Sequence, residues 1–269
     1  DSHQAMNSFT WSPDGELFFC QGDGIESRVE TPWGISSLYQ AGVYRLRPSR
    51  LELHGLLDDF MGPGNPWGVV FDNWGQSLVV DGAGGISYLT PASIPAKHRL
   101  RLDRIGNPGG YCGVEMINGR NMPKSMRGHF VINDFKSNTV KRFSLQPNGS
   151  GFKLDWKDAI LKSNHRKFRP VDIRMGPDGG IYIADFYNNV ICHQDDYFRD
   201  PTRDLHHGRI WRVTYKNSPI LPKPTFSKAS SSQLLNMLKA PERWTRQQAK
   251  FELNKRKGIE VQKIAETWA

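Results

Sequence analysis

Four segments of the chain repeat one pattern: Gly15-Glu-Leu-Phe-Phe-Cys-Gln21, Gly75-Gln-Ser-Leu-Val-Val-Asp81, Gly128-His-Phe-Val-Ile-Asn-Asp134 and Gly179-Gly-Ile-Tyr-Ile-Ala-Asp185. Each opens on a turn glycine, continues as a short apolar run and closes on a polar residue six positions later. The glycines lie 60, 53 and 51 residues apart. That period is too long for one coil of a solenoid and suits a unit of several short strands, the blade of a propeller. Strand-like runs precede the turns at 7–11, 68–71, 113–117 and 171–174, and others follow at 42–48, 85–91, 140–147 and 208–216. Residues 51–60 and 100–105 can supply fourth strands. Pro-Asp-Gly at 13–15 and 177–179 carries the tight turn, because Asp bonds its own backbone and Gly accepts the left-handed conformation.

These repeats predict an all-β fold, a β-propeller over residues 1–216. The first motif starts so close to residue 1 that its own inner strand has no room. The expectation is therefore four visible blades of a six-bladed ring, truncated at the N-terminus, with a closed four-bladed ring as the alternative. Beyond Lys216 the texture changes. Residues 217–232 are rich in Pro, Ser and Lys and read as a linker. In 233–269, Leu234, Leu235 and Leu238, then Trp244, Ala249, Phe251 and Leu253, then Ile259, Val261 and Ile264 fall at roughly helical spacing. Ala-Pro-Glu at 240–242 separates the first two helices and Lys257-Gly258 ends the second. Paired short helices of this kind predict the start of an α-helical, HEAT-like repeat, against the plainer alternative of a three-helix appendage.

Composition excludes several classes. With 38% hydrophobic and 23% charged residues among 269, and 26 Gly and 17 Pro, the balance is globular. No run of about 18 apolar residues exists, so no transmembrane segment is expected. The charge of +9 is concentrated in 228–269, where nine Lys and Arg face four Glu. Elsewhere both signs alternate without a basic block, which predicts no nucleic-acid partner. Cys20, Cys112 and Cys192 are odd in number and widely spaced, so they specify neither a disulfide framework nor a CxxC metal site.

Residues at the expected mouth of the channel are Asp1-Ser-His3-Gln4, Gly64-Asn65-Pro66-Trp67-Gly68, Gly110-Tyr111-Cys112-Gly113 and Phe168-Arg169-Pro170-Val171-Asp172. Strand ends add Gln21, Asp81, Asp134, Lys136 and Asp185. Such a polar constellation is more than a structural ring requires; the plainer reading makes each repeated Asp a cap on strand-end amides. Between Asp185 and Gly208, His193, Asp195, Asp196, Asp200, Asp204, His206 and His207 could bind a metal, yet EF-hand spacing and HExxH are both missing. A solvated loop in which Arg199 and Arg203 pair with Asp200 and Asp204 is the alternative.

On these residues a family resemblance emerges. His3-Gln4 through Trp11-Ser-Pro-Asp-Gly15, the Asn65-Pro-Trp-Gly68 motif, Lys136, the Arg169 to Gly179 segment and Arg209-Ile-Trp-Arg-Val-Thr-Tyr-Lys216 resemble soluble quinoprotein sugar dehydrogenases of the glucose/sorbosone type. These are six-bladed propellers that hold pyrroloquinoline quinone (PQQ) and Ca²⁺. The helical segment makes the chain more similar still to planctomycete-type membrane-bound dehydrogenases, in which a propeller precedes helical repeats and often a haem c domain. No CxxCH is present, so no haem is expected in this chain.

The resemblance implies that His3 is the general base and that Gln4, Asn65, Lys136 and Arg169 contact the cofactor, whose three carboxylates call for cations and donors. It implies calcium on backbone carbonyls at Gly82 and Gly84. It also implies a sugar or polyol substrate, a cytochrome-type electron acceptor and a periplasmic or extracellular location. Three positions depart from the pattern: the family arginine before Asn-Pro is Gly64, a second arginine is Val171, and a glutamine is Gly82. These departures keep two other classes open, a Ca²⁺-dependent propeller hydrolase or lactonase using Asp81, Asp134 and Asp185, and a non-catalytic binding scaffold.

Overall fold

A computed structural model describes residues 5–57, 65–82, 85–89, 100–101, 110–149, 151–191 and 200–268. Strands β1 (Asn7–Trp11), β2 (Leu17–Gln21), β5 (Gly42–Arg47) and β6 (Glu52–Leu57) form one antiparallel meander. A second contains β7 (Pro66–Phe71), β8 (Ser77–Asp81), β9 (Gly85–Leu89) and β10 (Leu100–Arg101). A third contains β11 (Tyr111–Met116), β12 (Phe130–Asp134), β13 (Thr139–Asn148) and β14 (Gly151–Lys162). The last is three-stranded: β15 (Pro170–Met175), β16 (Ile181–Asp185) and β17 (Arg209–Val213). Several small meanders in chain order are what the repeated motif predicts; the first has all four of its strands, β1 included, against the expectation that its inner strand had no room. A separate hairpin, β3 (Ser27–Thr31) with β4 (Gly34–Leu38), was not anticipated.

The four motif glycines all adopt positive φ, from +78° to +89°, so each turn requires a residue without Cβ. Three of the turns share one hydrogen-bond pattern. The N–H groups of Ser12, Asp72 and Gly176 donate to the carbonyls of Glu16, Gln76 and Gly180, and those of Gly15, Gly75 and Gly179 donate back to residues 12, 72 and 176. The local side chain reinforces the turn as expected at Asp178, which accepts from the Gly180 N–H at 3.0 Å. In the other two turns, Ser12 and Asp72 fill that role.

The chain divides into two compact units. The first comprises Asp1–Met116, His129–Arg174 and Ile183–Trp211. Inside it, Phe18, Cys20 and Val43 of the first sheet pack on Val69, Phe71 and Val79 of the second, while Val70, Leu78 and Val80 on the other face meet Tyr111, Val114, Phe130 and Ile132 of the third. The strands of the second sheet are thus apolar on both faces, and every residue of β8 is buried. Each fully buried aliphatic or aromatic side chain contributes about 2 kcal/mol to such stacking.

The second unit comprises Ile117–Gly128, Met175–Tyr182 and Arg212–Ala269. It holds α1 (Ser231–Met237), α2 (Arg243–Asn254) and α3 (Gly258–Trp268), with breaks where Ala-Pro-Glu and Lys-Gly were read. Ser230 and Gln233 form a capping box at α1. Leu234, Leu235, Ala249 and Leu253 make the helical core, with Val261, Ile264 and Trp268 packed against it. Ile259, read as part of the apolar face, is 74% exposed. Glu242 precedes α2 without capping it. Its buried carboxylate instead accepts the Arg120 backbone N–H at 2.9 Å and the guanidinium at 2.9 and 3.1 Å. The run read as a linker is tied near its start, where Asn121 Nδ2 donates to the Ser218 and Pro219 carbonyls.

Candidate functional site

Gln21, Asp81, Asp134 and Asp185 end the second strands of their sheets and are all buried. Gln21 Nε2 donates to the carbonyls of Ile25 and Gln40. Asp81 accepts the Asn65 N–H at 3.3 Å. Asp134 accepts the Ser137 N–H at 3.0 Å and pairs with Lys141 at 2.9 Å. At Asp185 one oxygen accepts the N–H groups of Arg169 and Tyr187, the other Arg209 Nε and Trp211 Nε1, all at 2.8–2.9 Å. Burial pushes the Asp185 carboxyl upward, but these donors prevail and hold it below the usual carboxylate value. The repeated polar residue therefore fastens the segments that enter and leave each sheet.

The residues implied by the resemblance fall in several places. His3, Gln4 and Gly84 lie outside the described residues, as do Gly64, His193, Asp195, Asp196 and Arg199. Asn65 sits just before β7 with its Oδ1 buried and, among the described residues, unbonded. Lys136 is exposed in the turn between β12 and β13. Arg169 is half-buried, and its guanidinium already donates to the carbonyls of Phe135, Asn188 and Asn189 and to Asn138 Oδ1. Of its five N–H bonds one is left. Burial depresses the Arg169 value, with Asp185 opposing the fall and Arg166 adding to it. The Gly82 carbonyl receives the Tyr111 N–H at 3.5 Å. A Cβ on Gly82 would stand 2.8 Å from the Trp67 indole, so this glycine seats the Trp67 ring.

A cavity of about 510 Å³ opens where the innermost strands of all four sheets converge in the first unit. Ser8, Phe9, Trp67, Gly113, Asp172 and Arg174 are among its walls. Register shifts interrupt the pairing of β1, β7 and β11 with their neighbours, at residues 7–10, 66–68 and 112–114. Such bulges turn a side chain away from the pleat and occur next to sites. Ser8 and Gly113 both take φ of 58° there. Arg174 reaches Asp172 at 3.4 Å and the Phe9 carbonyl at 3.4 Å, linking the innermost strands of the last and first sheets. Trp67, Val171 and Asp172 stood in the runs quoted from the sequence, but Ser8, Phe9 and Arg174 did not stand out, because a bulge has no side-chain signature.

A second cavity, about 640 Å³, lies beside the chain entering β17. Asp204 pairs with Lys167 and His207, at 3.2 and 2.8 Å. The His207 bond, outweighing partial desolvation, draws its carboxyl far below the ordinary value, helped by the His206 N–H and Lys167. Asp200 is held by Thr202. Arg209 stacks on the Tyr187 ring at 3.9 Å and Lys167 lies 4.8 Å from it. Among the described residues no three His, Cys, Asp or Glu side chains converge as a metal site, and no helix is long and apolar enough to cross a membrane.

Residues 87–217 match a family model described as a domain of unknown function, DUF7133. No curated protein matches the chain. Solved structures similar to it include a luciferin-regenerating enzyme at 11% identity, covering 81% of this chain and 64% of that one with a TM-score of 0.49. A glucose dehydrogenase is 15% identical over 77% of this chain and 63% of that one, with a TM-score of 0.45. Regucalcin, a calcium-binding protein from Agrobacterium tumefaciens, is 15% identical over 80% and 64% respectively, with a TM-score of 0.46. The chain spans less than two thirds of the length of each of these three.

Proposed function

We propose that the first unit binds a small polyhydroxylated molecule, a sugar or polyol, in the channel cavity, and that the parent activity is oxidation of one of its hydroxyls with a quinone-type cofactor. The observation that carries this reading is the cavity itself: a carboxylate, a guanidinium and a hydroxyl share one space with two exposed aromatic rings, Phe9 and Trp67. Aromatic faces receive the C–H face of a sugar ring while the polar groups bond its hydroxyls. On the same reading the ring has six blades, the helices open a HEAT-like array, and a cytochrome-type acceptor serves the enzyme outside the cytoplasm.

The cofactor is the weaker half. A tricarboxylate quinone needs several free cations, and such a group when bound would take up hydride from the substrate carbon. Among the described residues Lys136 is available, Arg169 has one N–H left, and Val171 occupies the place of a second arginine. That set fits the three carboxylates poorly. A hydrolase reading is weaker still, because Asp81, Asp134 and Asp185 already serve the chain's own donors. The test is titration of PQQ with and without Ca²⁺, followed by dye reduction with aldoses and polyols, in wild type and His3→Ala. Saturable binding with activity that collapses in the variant supports the quinoprotein reading. Carbohydrate binding without PQQ binding removes the quinone and leaves the channel site; lactone hydrolysis would replace the reading.

A further inference from the structure

Within the channel cavity the ionic groups that reach the wall come as a pair, and that decides which sugars suit it. Resting on the channel reading above, we propose that Asp172 and Trp67 select neutral polyols and sugars over sugar acids and sugar phosphates, with Asp172 accepting hydrogen bonds from two neighbouring hydroxyls and Trp67 supporting the apolar face. Asp172 and Arg174 cancel in charge, and both side chains are about half open, at 48% and 39% exposure. One Asp172 oxygen receives the Ile173 N–H at 2.9 Å and Arg174 at 3.4 Å. The other accepts nothing from the described residues, which leaves lone pairs for ligand hydroxyls. An anionic ligand would meet that carboxylate beside a guanidinium whose charge Asp172 already balances, with Arg174 reaching Asp172 and the Phe9 carbonyl through Nη2.

Trp67 is placed for its part by two glycines. Its indole lies over Gly82, where a Cβ would sit 2.8 Å from Cδ1, and the following Gly68 packs tightly on Val114, whose Cγ1 would lie 3.0 Å from an added Cβ. The ring is 36% exposed and forms part of the cavity wall. Gly113 keeps the opposite side open: a side chain there would stand 2.9 Å from the Asp172 Cα. Arg174 is a positioning residue that holds Asp172 and ties the first sheet to the last.

Calorimetric titration with sorbitol, glucose, gluconate and glucose 6-phosphate tests this on the full chain, with circular dichroism to establish that each variant is folded. The expected result is saturable binding of the neutral pair at least tenfold tighter than the anionic pair. Asp172→Asn should weaken sorbitol about tenfold, the loss of charge-assisted bonds, and should narrow the gap to the anions. Arg174→Ala should widen that gap, because the carboxylate is then unneutralised. Trp67→Ala should weaken all four ligands alike, whereas Trp74→Ala, at a ring 87% exposed on a turn tip, should change nothing. Neutral binding that Asp172→Asn leaves untouched, or anions bound equally well by the wild type, overturns the selectivity and leaves the channel reading standing. No binding of any of the four to folded protein overturns both.

Discussion

Polar groups at the ends of the second strands and polar groups in the channel belong to the same sheets and are treated in opposite ways. Asp134 and Asp185 are buried and every oxygen has a partner from the chain. Asp172, on an innermost strand, is half exposed and has lone pairs left over. A saturated carboxylate holds a fold together and offers a ligand nothing, whereas an unsaturated one in a concave wall costs less than it would if fully buried and stays available. Function is better sought among the second kind.

The largest effect that would break this contrast is at Asp185. Asp185→Ala leaves the Arg169 and Tyr187 amides, the Trp211 indole and Arg209 without their acceptor. Loss of a buried charged hub of this kind costs about 3 to 5 kcal/mol. Urea unfolding should show it as a fall in midpoint at constant m; a change under 1 kcal/mol would mean the strand-end residues are not fasteners. In the second unit, Arg120→Ala strands Glu242, 3% exposed, beneath α2 and should cost about 2 to 3 kcal/mol. Glu242→Gln, which keeps the packing, should cost less, and double-mutant analysis would give the coupling.

Acid sensitivity follows with a defined sign. Asp185 and Asp204 are both held below the ordinary carboxylate value when folded. Each contributes stability that is present above the unfolded value of about 3.9 and is lost as pH falls through the folded one. Melting temperature should therefore drop as pH is lowered past about 4, and Asp185→Asn should flatten that limb while lowering the plateau at neutral pH. An unchanged limb would show that other groups govern acid unfolding.

The repeated motif made the second strands legible to the residue: β2, β8, β12 and β16 end on Gln21, Asp81, Asp134 and Asp185. It did so because a positive-φ glycine and an apolar run are local properties. The β3–β4 hairpin has no clear signature because half of its strand residues are exposed and its strands alternate weakly, and the start of β14 depends on a turn at Asn148-Gly149, with φ of 58° at the glycine. Arg169 was legible as a channel-mouth residue, yet its four acceptors come from segments 19 to 34 residues away, which no local pattern reports.

The smallest predicted effect is also the sharpest, because it has the unusual sign. One residue before the strand-end position the sheets carry Cys20, Val80, Asn133 and Ala184. Three of these are apolar. Asn133 is 0% exposed and, among the described residues, neither its Oδ1 nor its Nδ2 has a partner, although Nδ2 lies 3.1 Å from where a Cβ on Gly113 would stand, at the back of the cavity wall. An amide buried without partners costs about 1 to 3 kcal/mol, so an apolar side chain of similar size should relieve that cost. Asn133→Val should raise the melting temperature by about 2 to 4 °C if the relief is about 1 kcal/mol. A fall of the same size would show that the amide has a partner after all, a water or a ligand group admitted past Gly113. In that event Asn133 belongs with Asp172 among the channel's unsaturated polar groups, and sorbitol affinity should fall in the same variant.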